Sequence, residues 1–452
     1  MNKSILFIIF VAALLNSGCQ KYLDKKPDKQ LVVPSTLKDV QALYDQNNIM
    51  NEKGSIIGEA SADNYYLPED AYNALADEHF KELYTWGGDI VRGASNNEWS
   101  RLYDVVYQAN IGLETLNNVS KNSQNIDDWD NLEGSGLFFR SYAYQQALFN
   151  WSLAYDSLTA EQDLGIPLRG NSNFNEVSRR ASVQQSYQQI IDDLKIALRL
   201  LPIHPSFVTR PSKAATYGLL ARIYLTMREY KKAGAYADSC IKIFEGNLLD
   251  YNLIDSSRTY PITAFNMEVI FYDVATTAGS LNSTMAKVDS NLYATYREND
   301  LRRILFFKPN NDGTVSFRGS YTGKSSYFIG IALDEIYLIR SECQARLGNV
   351  DQAMEDLNAL LLKRYKSGTF EELTASNKQE AITYILTERR KELLLRDLRW
   401  MDIKRLNKEG ADISLQRVIG EQHFMLNAGS SGFALPLPID VVTLTGMQQN
   451  PK

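Results

Sequence analysis

Histidine and cysteine are both scarce, with three of each in 452 residues. His79, His204 and His423 lie far apart and none sits at metal-ligand spacing, so no metal centre is expected. The cysteines exclude a zinc ribbon and a CxxC redox pair. Cys240 and Cys343 fall at apolar positions of helical patterns and read as two buried thiols. There is no P-loop, dinucleotide fingerprint or G-x-S-x-G elbow, so neither a cofactor nor a catalytic residue is expected. A basic run is also missing. With a net charge of −6 and a pI near 5.4, nucleic acid is not an expected partner. No apolar run approaches the ~20 residues that cross a bilayer.

What is present begins with a leader. Lys3 precedes an unbroken apolar run over residues 5–15, followed by Asn16, Ser17, Gly18 and Cys19. A positive start, a short apolar middle and small residues before a cut site describe a secretory signal peptide over residues 1–18. Cysteine directly after Ser17-Gly18 resembles a bacterial lipobox, in which cleavage frees Cys19 for acylation. Each buried methylene of the acyl chains adds ~0.8 kcal/mol, so several chains make a lasting membrane anchor. Residues 19–35, polar with two prolines, read as the tether.

The body, residues 36–452, is mainly helical in pattern. Apolar periodicity predicts helices over residues 37–46, 98–117, 136–155 and 183–201. Two stretches, near residues 212–243 and 334–365, share the spacing of tetratricopeptide helix pairs, with Tyr217 matching Tyr337. About 120 residues separate them, so they are not tandem repeats. The scaffold is thus expected over about 98–245 and 331–408. Its last helical block is read as continuous through residues 385–407. Between the pairs, residues 246–330 are rich in Asn, Ser, Thr, Gly and Tyr and predict an irregular lobe with few short strands. Pro436 and Pro438 predict an extended tail within residues 409–452.

Aromatics make up 11% of the chain, with 26 Tyr, and that excess has to be placed. Between residues 55 and 97, Tyr66 and Trp86 stand among Asp63, Asn64, Asp89 and Arg92 in a stretch broken by Gly and Pro. Sugars call for this mixture: rings for their C–H faces, and Asp, Asn and Arg for their hydroxyls. These six residues, with Tyr296 and Tyr321 from the central lobe, are the candidate ligand-binding set. Trp99 and Trp400 read as core. The block from Glu388 to Arg405 is dense in charge, and Glu388 and Glu392 are one turn apart. With no histidine nearby, its carboxylates read as partners of arginines one turn away, not as a catalytic pair.

The opening Cys19…Tyr22-Leu23-Asp24, DLGIPL, RPSKAATYGLLARIYL, ERRKELLLRDLRWMDIKR and LPLPIDVV with QQNP stand in one order. In that order they resemble the SusD/RagB family of Bacteroidetes nutrient-binding lipoproteins. The resemblance implies tetratricopeptide-like helix pairs forming a right-handed scaffold that carries a loop-rich lobe. It also implies outer-membrane anchoring, an oligosaccharide or peptide ligand, and a SusC-like TonB-dependent transporter as partner. The rival readings are a structural adaptor of the transporter and an anchored glycoside hydrolase, which needs two carboxyls ~5–10 Å apart.

Overall fold

The computed structural model describes residues 34–87, 97–275 and 279–451. Among the described residues helices account for 49%, and no sheet exceeds two strands. The helices of seven residues or more are α1 (Leu37–Tyr44), α2 (Glu78–Thr85), α3 (Glu98–Asn117), α4 (Ile126–Trp151), α5 (Val183–Leu200) and α6 (Lys213–Thr226). Then follow α7 (Tyr230–Ile243), α8 (Leu333–Leu347), α9 (Val350–Leu362), α10 (Lys378–Glu392), α11 (Arg399–Asn407) and α12 (Ile439–Thr445).

Local chemistry sets the helix starts. Thr36 accepts from Asp39 N at 3.2 Å while the Asp39 carboxylate accepts from Thr36 N at 3.0 Å, a reciprocal cap for α1. Ser182 and Gln185 cap α5 in the same way. The longer helices then stack in chain order, α3 on α4, on to α8 and α9. The two tetratricopeptide-like pairs, α6–α7 and α8–α9, are adjacent in space because α7 packs on α8. The lobe between them is therefore an insertion into a continuous stack. Ala233, Ala237 and Ala353 are fully buried in these pairs, where small side chains let the helices approach.

Helix α4 starts at Ile126, ten residues before the expected start at Gly136. Gly136 is instead a notch. A Cβ there would lie 2.3 Å from the Tyr44 hydroxyl, and one at Gly112 of α3 would lie 2.2 Å from it. The two glycines let Tyr44 of α1 insert between α3 and α4 and donate to Ala109 O at 3.1 Å.

Two further expectations are corrected. The block over residues 385–407 is broken between α10 and α11, where Leu395 and Asp397 take φ of 58° and 59°. The left-handed residues turn the chain so that both helices keep their charged faces inward. The tail is also not simply extended. It forms an antiparallel hairpin, Leu415–Ile419 with Gln422–Leu426, and then α12. Pro438 immediately precedes the first turn of α12, a place where a missing N–H costs nothing.

In the lobe the short strands pair two by two: Val269–Phe271 with Ile331–Ala332 and Val274–Ala275 with Tyr327–Phe328 close it across its length, and Phe307–Pro309 forms a hairpin with Val315–Phe317. Cys240 and Cys343 are both buried free thiols, as their helical positions predict.

Candidate functional site

The structure engages most of the described candidate ligand residues in internal contacts. Tyr296 is 0% exposed and donates to Lys391 O at 2.8 Å. Tyr321 is 1% exposed, donates to Glu268 Oε2 at 2.5 Å, and lies under the Arg396 guanidinium at 4.0 Å. Both belong to the core, and their rings offer no face to a ligand. The lobe's Tyr content looked like a binding surface because buried tyrosines with satisfied hydroxyls have the same composition.

Asn64 is buried and used at both ends, donating to Glu59 Oε1 at 2.6 Å and accepting from Arg390 Nε at 3.0 Å. The Asp63 carboxylate is gripped by Arg399 Nε and Nη2 at 2.7 and 2.8 Å. Burial acts to raise the Asp63 carboxyl, but the Arg399 bonds and charge, with Arg390 beside them, hold it well below the usual range. Trp86 ends α2 in a left-handed turn, φ 57°, and its indole N–H donates to Ser61 O at 3.0 Å. These three residues anchor chain segments. Tyr66 stays half-exposed. Asp89, Arg92 and Cys19 lie outside the described residues.

The charged block is a sealed ion network. Glu392 accepts from Arg302 at 2.9 Å and Arg364 at 2.7 Å, and Glu388 from Arg302 at 2.6 Å and Lys391 at 2.8 Å. Asp402 receives Arg389 and Arg405, each at 2.8 Å. The structural reading of this block holds, although several partners come from distant segments and not from one turn away. A carboxylate locked between buried guanidiniums has no access to a substrate.

The open concave surface lies elsewhere. On α3, Trp99, Tyr103 and Tyr107 recur every four residues and so share one face. Asn97 fixes the start of that helix by accepting from Ser100 N at 2.8 Å. Trp99 and Tyr103 stack with ring centroids 4.8 Å apart, and Trp151 meets Trp99 edge-on at 5.0 Å. Exposure rises along the row until Tyr107, which is 38% exposed. Opposite stands Phe174, 81% exposed, on the loop that leaves strand Leu164–Pro167.

That loop is held rigidly. Arg169 donates to Glu176 O at 2.6 Å and Ser178 Oγ at 3.0 Å, and Tyr144 Oη bridges the Arg169 N–H and C=O at 2.7 and 2.8 Å. Asn110 of α3 donates to the carbonyls of Arg169 and Asn171 at 2.8 and 3.1 Å. Val441 and Leu444 of α12, with Met447 after it, close the far side.

The inner part of this groove holds about 310 Å³. An outer part of about 640 Å³ shares Trp99, Tyr103, Tyr107 and Phe174 and is rimmed by Lys53, Arg101 and Asp104. Both volumes fall within the roughly 300–1,000 Å³ of small-molecule sites. The sequence reading assigned Trp99 to the core, and it is indeed 5% exposed, yet it also floors the groove. The aromatic spacing of four on α3 was the available signal, and a core stripe has the same spacing.

A rigid helical stack with an aromatic groove, and with its central carboxylates locked, defines a binding protein. The chain belongs to the SusD family. A model described as SusD-like, starch-binding associating with outer membrane, matches residues 21–225, and the SusD family model matches residues 276–429. This is a family of non-enzymatic, sugar-binding proteins associated with the outer membrane.

Among its relatives, SusD-like protein P38 of Formosa agariphila is 22% identical, covering 90% of this chain and 92% of that one. A crystal structure of a SusD superfamily protein from Bacteroides thetaiotaomicron aligns with a TM-score of 0.74 at 20% identity, covering 92% of this chain and all of that one. A laminarin binding SusD-like protein aligns with a TM-score of 0.64 at 17% identity, covering 91% and 97%. At these identities the structural likeness is one of fold.

Proposed function

We propose that this chain is a lipid-anchored receptor that captures an oligosaccharide in the α3 groove and passes it to a SusC-like TonB-dependent transporter. The observation that carries the ligand half is the aromatic row Trp99–Tyr103–Tyr107 facing Phe174, with charged side chains at the outer rim. Sugar C–H faces stack on such rings, and hydroxyls take the rim. The anchor half rests on the leader that ends in Ser17-Gly18-Cys19. Acylation at Cys19 holds the protein on the outer membrane, with the body facing outward. A receptor that hands on its cargo must also release it, so a Kd of roughly µM to mM is expected.

The full chain, purified in mild detergent, is titrated against oligosaccharide and peptide panels. Oligosaccharide binding that weakens in Tyr107→Ala supports the reading. Binding of peptides alone overturns it. For the anchor, Cys19→Ser is expected to move the protein out of the membrane fraction, and retention there argues against acylation.

A further inference from the structure

The groove is chemically two-sided, and this restricts what its inner part accepts. An oligosaccharide seated on a ring row needs donors and acceptors along its edges, because a buried hydroxyl without a partner costs ~1–3 kcal/mol. In the inner part most polar side chains already spend their donors within the protein. Tyr103 Oη already donates to Pro167 O at 2.8 Å. Asn110 is spent on the carbonyls of Arg169 and Asn171 and on Arg140 Nη1, which donates to Asn110 Oδ1 at 2.9 Å. Asn171 donates to Glu176 Oε2 at 2.8 Å and accepts from Asn173 N at 3.0 Å. Both Ser172 N and Ser172 Oγ donate to the Glu114 carboxylate. Thr445 Oγ1 donates back to Val441 O at 2.5 Å.

What the inner part does offer is apolar. Leu444 is 85% exposed on α12, and Phe174 stands across from the ring row. A free leucine and a free phenylalanine converging on a 310 Å³ space leave apolar surface that only an apolar group covers. The outer part is different in kind. There Lys53 pairs with Asp104, both partly exposed, and Arg101 lies at the rim with its charge paired to the buried Glu98.

We propose that the groove selects an oligosaccharide bearing an apolar substituent. The substituent enters the inner part between Trp99, Phe174 and Leu444, and the sugar lies over Tyr107 toward Lys53 and Asp104. This rests on the oligosaccharide reading above and adds the chemical class to it.

The test uses matched pairs. Acetylated xylo-oligosaccharides and feruloylated arabinoxylan oligosaccharides are each titrated into the full chain before and after mild alkaline de-esterification, which leaves the glycosidic bonds intact. The esterified member is expected to bind about tenfold more tightly, the scale of one small apolar group leaving water. The acetyl and aryl pairs tell which substituent fits.

Leu444→Ser, a change on an exposed position, is expected to weaken the esterified member more than its partner and so to narrow the gap. Leu253→Ser, an equally exposed leucine outside the groove, is expected to leave the gap intact. Equal binding by both members of every pair overturns the substituent proposal alone, because the oligosaccharide reading survives. Binding of neither member, with peptides bound instead, overturns both. A gap that persists unchanged in Leu444→Ser overturns the placement of the substituent in the groove.

Discussion

Arg405 holds both carboxylate oxygens of Glu342, with Nη1 and Nη2 at 2.6 and 2.8 Å, and neither side chain is exposed. Sixty-three residues apart in sequence, the pair clamps α11 to α8 and so ties the charge-dense block to the tetratricopeptide-like stack. Removing Glu342 strips the buried Arg405 guanidinium of its two-pronged partner and leaves it only the single bond to Asp402 at 2.8 Å. Glu342→Ala is therefore expected to cost ~3–5 kcal/mol, read as a fall in urea midpoint at constant m. The double variant Glu342→Leu with Arg405→Met is expected to lose less than Glu342→Ala alone, because both charges go together while Asp402 keeps Arg389 and Arg346 keeps Glu409. Equal losses in the two variants would show that packing around the pair, and not its charge, sets the cost.

The groove and the core are expected to separate cleanly under substitution. Tyr107→Ala and Phe174→Ala remove half-exposed and exposed rings, so ligand affinity should fall about tenfold while thermal stability barely moves. Trp99→Ala should lose both, with a stability cost of ~3–5 kcal/mol for a buried large ring. Tyr296→Phe removes only the hydroxyl bond to Lys391 O and should leave ligand affinity unchanged. A loss of binding in Tyr296→Phe with the fold intact would return the central lobe to the binding surface.

These contrasts show how much was legible in the chain. Helix pairs at residues 213–243 and 333–362 were readable because Ala, Gly and Tyr recur at fixed offsets, and a helix contact needs little else. The α10–α11 break was not, because Leu395 carries no local mark of a left-handed conformation and Asp397 only a weak one, and the contact of Asp397 with Glu59 that accompanies the turn is remote in sequence. Part of the candidate ligand set is engaged inside the protein for a related reason. Asp63, Asn64 and Trp86 have the chemistry of a sugar site, but Arg399, Arg390 and Ser61 had taken their polar groups first, and those partners are remote in sequence. The groove draws on α3, the loop after Pro167 and α12, three segments that only the fold brings together.

Glu59 and Asp397 give a pH dependence with a definite sign. Glu59 N donates to Asp397 Oδ1 at 3.0 Å, and Asp397 N donates to Glu59 Oε2 at 3.1 Å, so two carboxyls are buried face to face. Burial pushes the Glu59 carboxyl up to about 7, against the Asn64 hydrogen bond that lowers it, and burial also pushes Asp397 up. The folded chain keeps a proton that the unfolded chain releases near 4.5. Stability from this group is therefore full below pH 4.5 and is lost as pH rises toward 7, by on the order of 3 kcal/mol. Glu59→Gln cannot ionise, so its Tm relative to the parent chain should improve steadily between pH 5 and pH 8. A difference that stays constant across that range would refute the buried neutral acid.

The C-terminal arm offers a last test, of whether the far wall of the groove acts independently of the stack. None of the side chains of α12 is buried, so the helix itself has little to hold it. Its base is held instead: Leu437 N donates to Gln449 Oε1 at 2.7 Å, and Gln449 Nε2 returns to Leu437 O at 2.9 Å. Below this clasp, Asn450 Nδ2 donates to the carbonyls of Trp151 and Leu435 at 2.8 and 2.7 Å, fixing the arm to the end of α4. Gly446, at φ 68°, supplies the left-handed turn that ends α12 and sends the chain back toward the clasp. Gln449→Ala cuts both clasp bonds and leaves the Asn450 anchor in place. Amide exchange should therefore speed up in residues 438–447 without a matching change in α4, and ligand should dissociate faster, while the global midpoint falls by only about 1 kcal/mol. Faster exchange with an unaltered dissociation rate would mean that α12 covers the groove without touching what it binds.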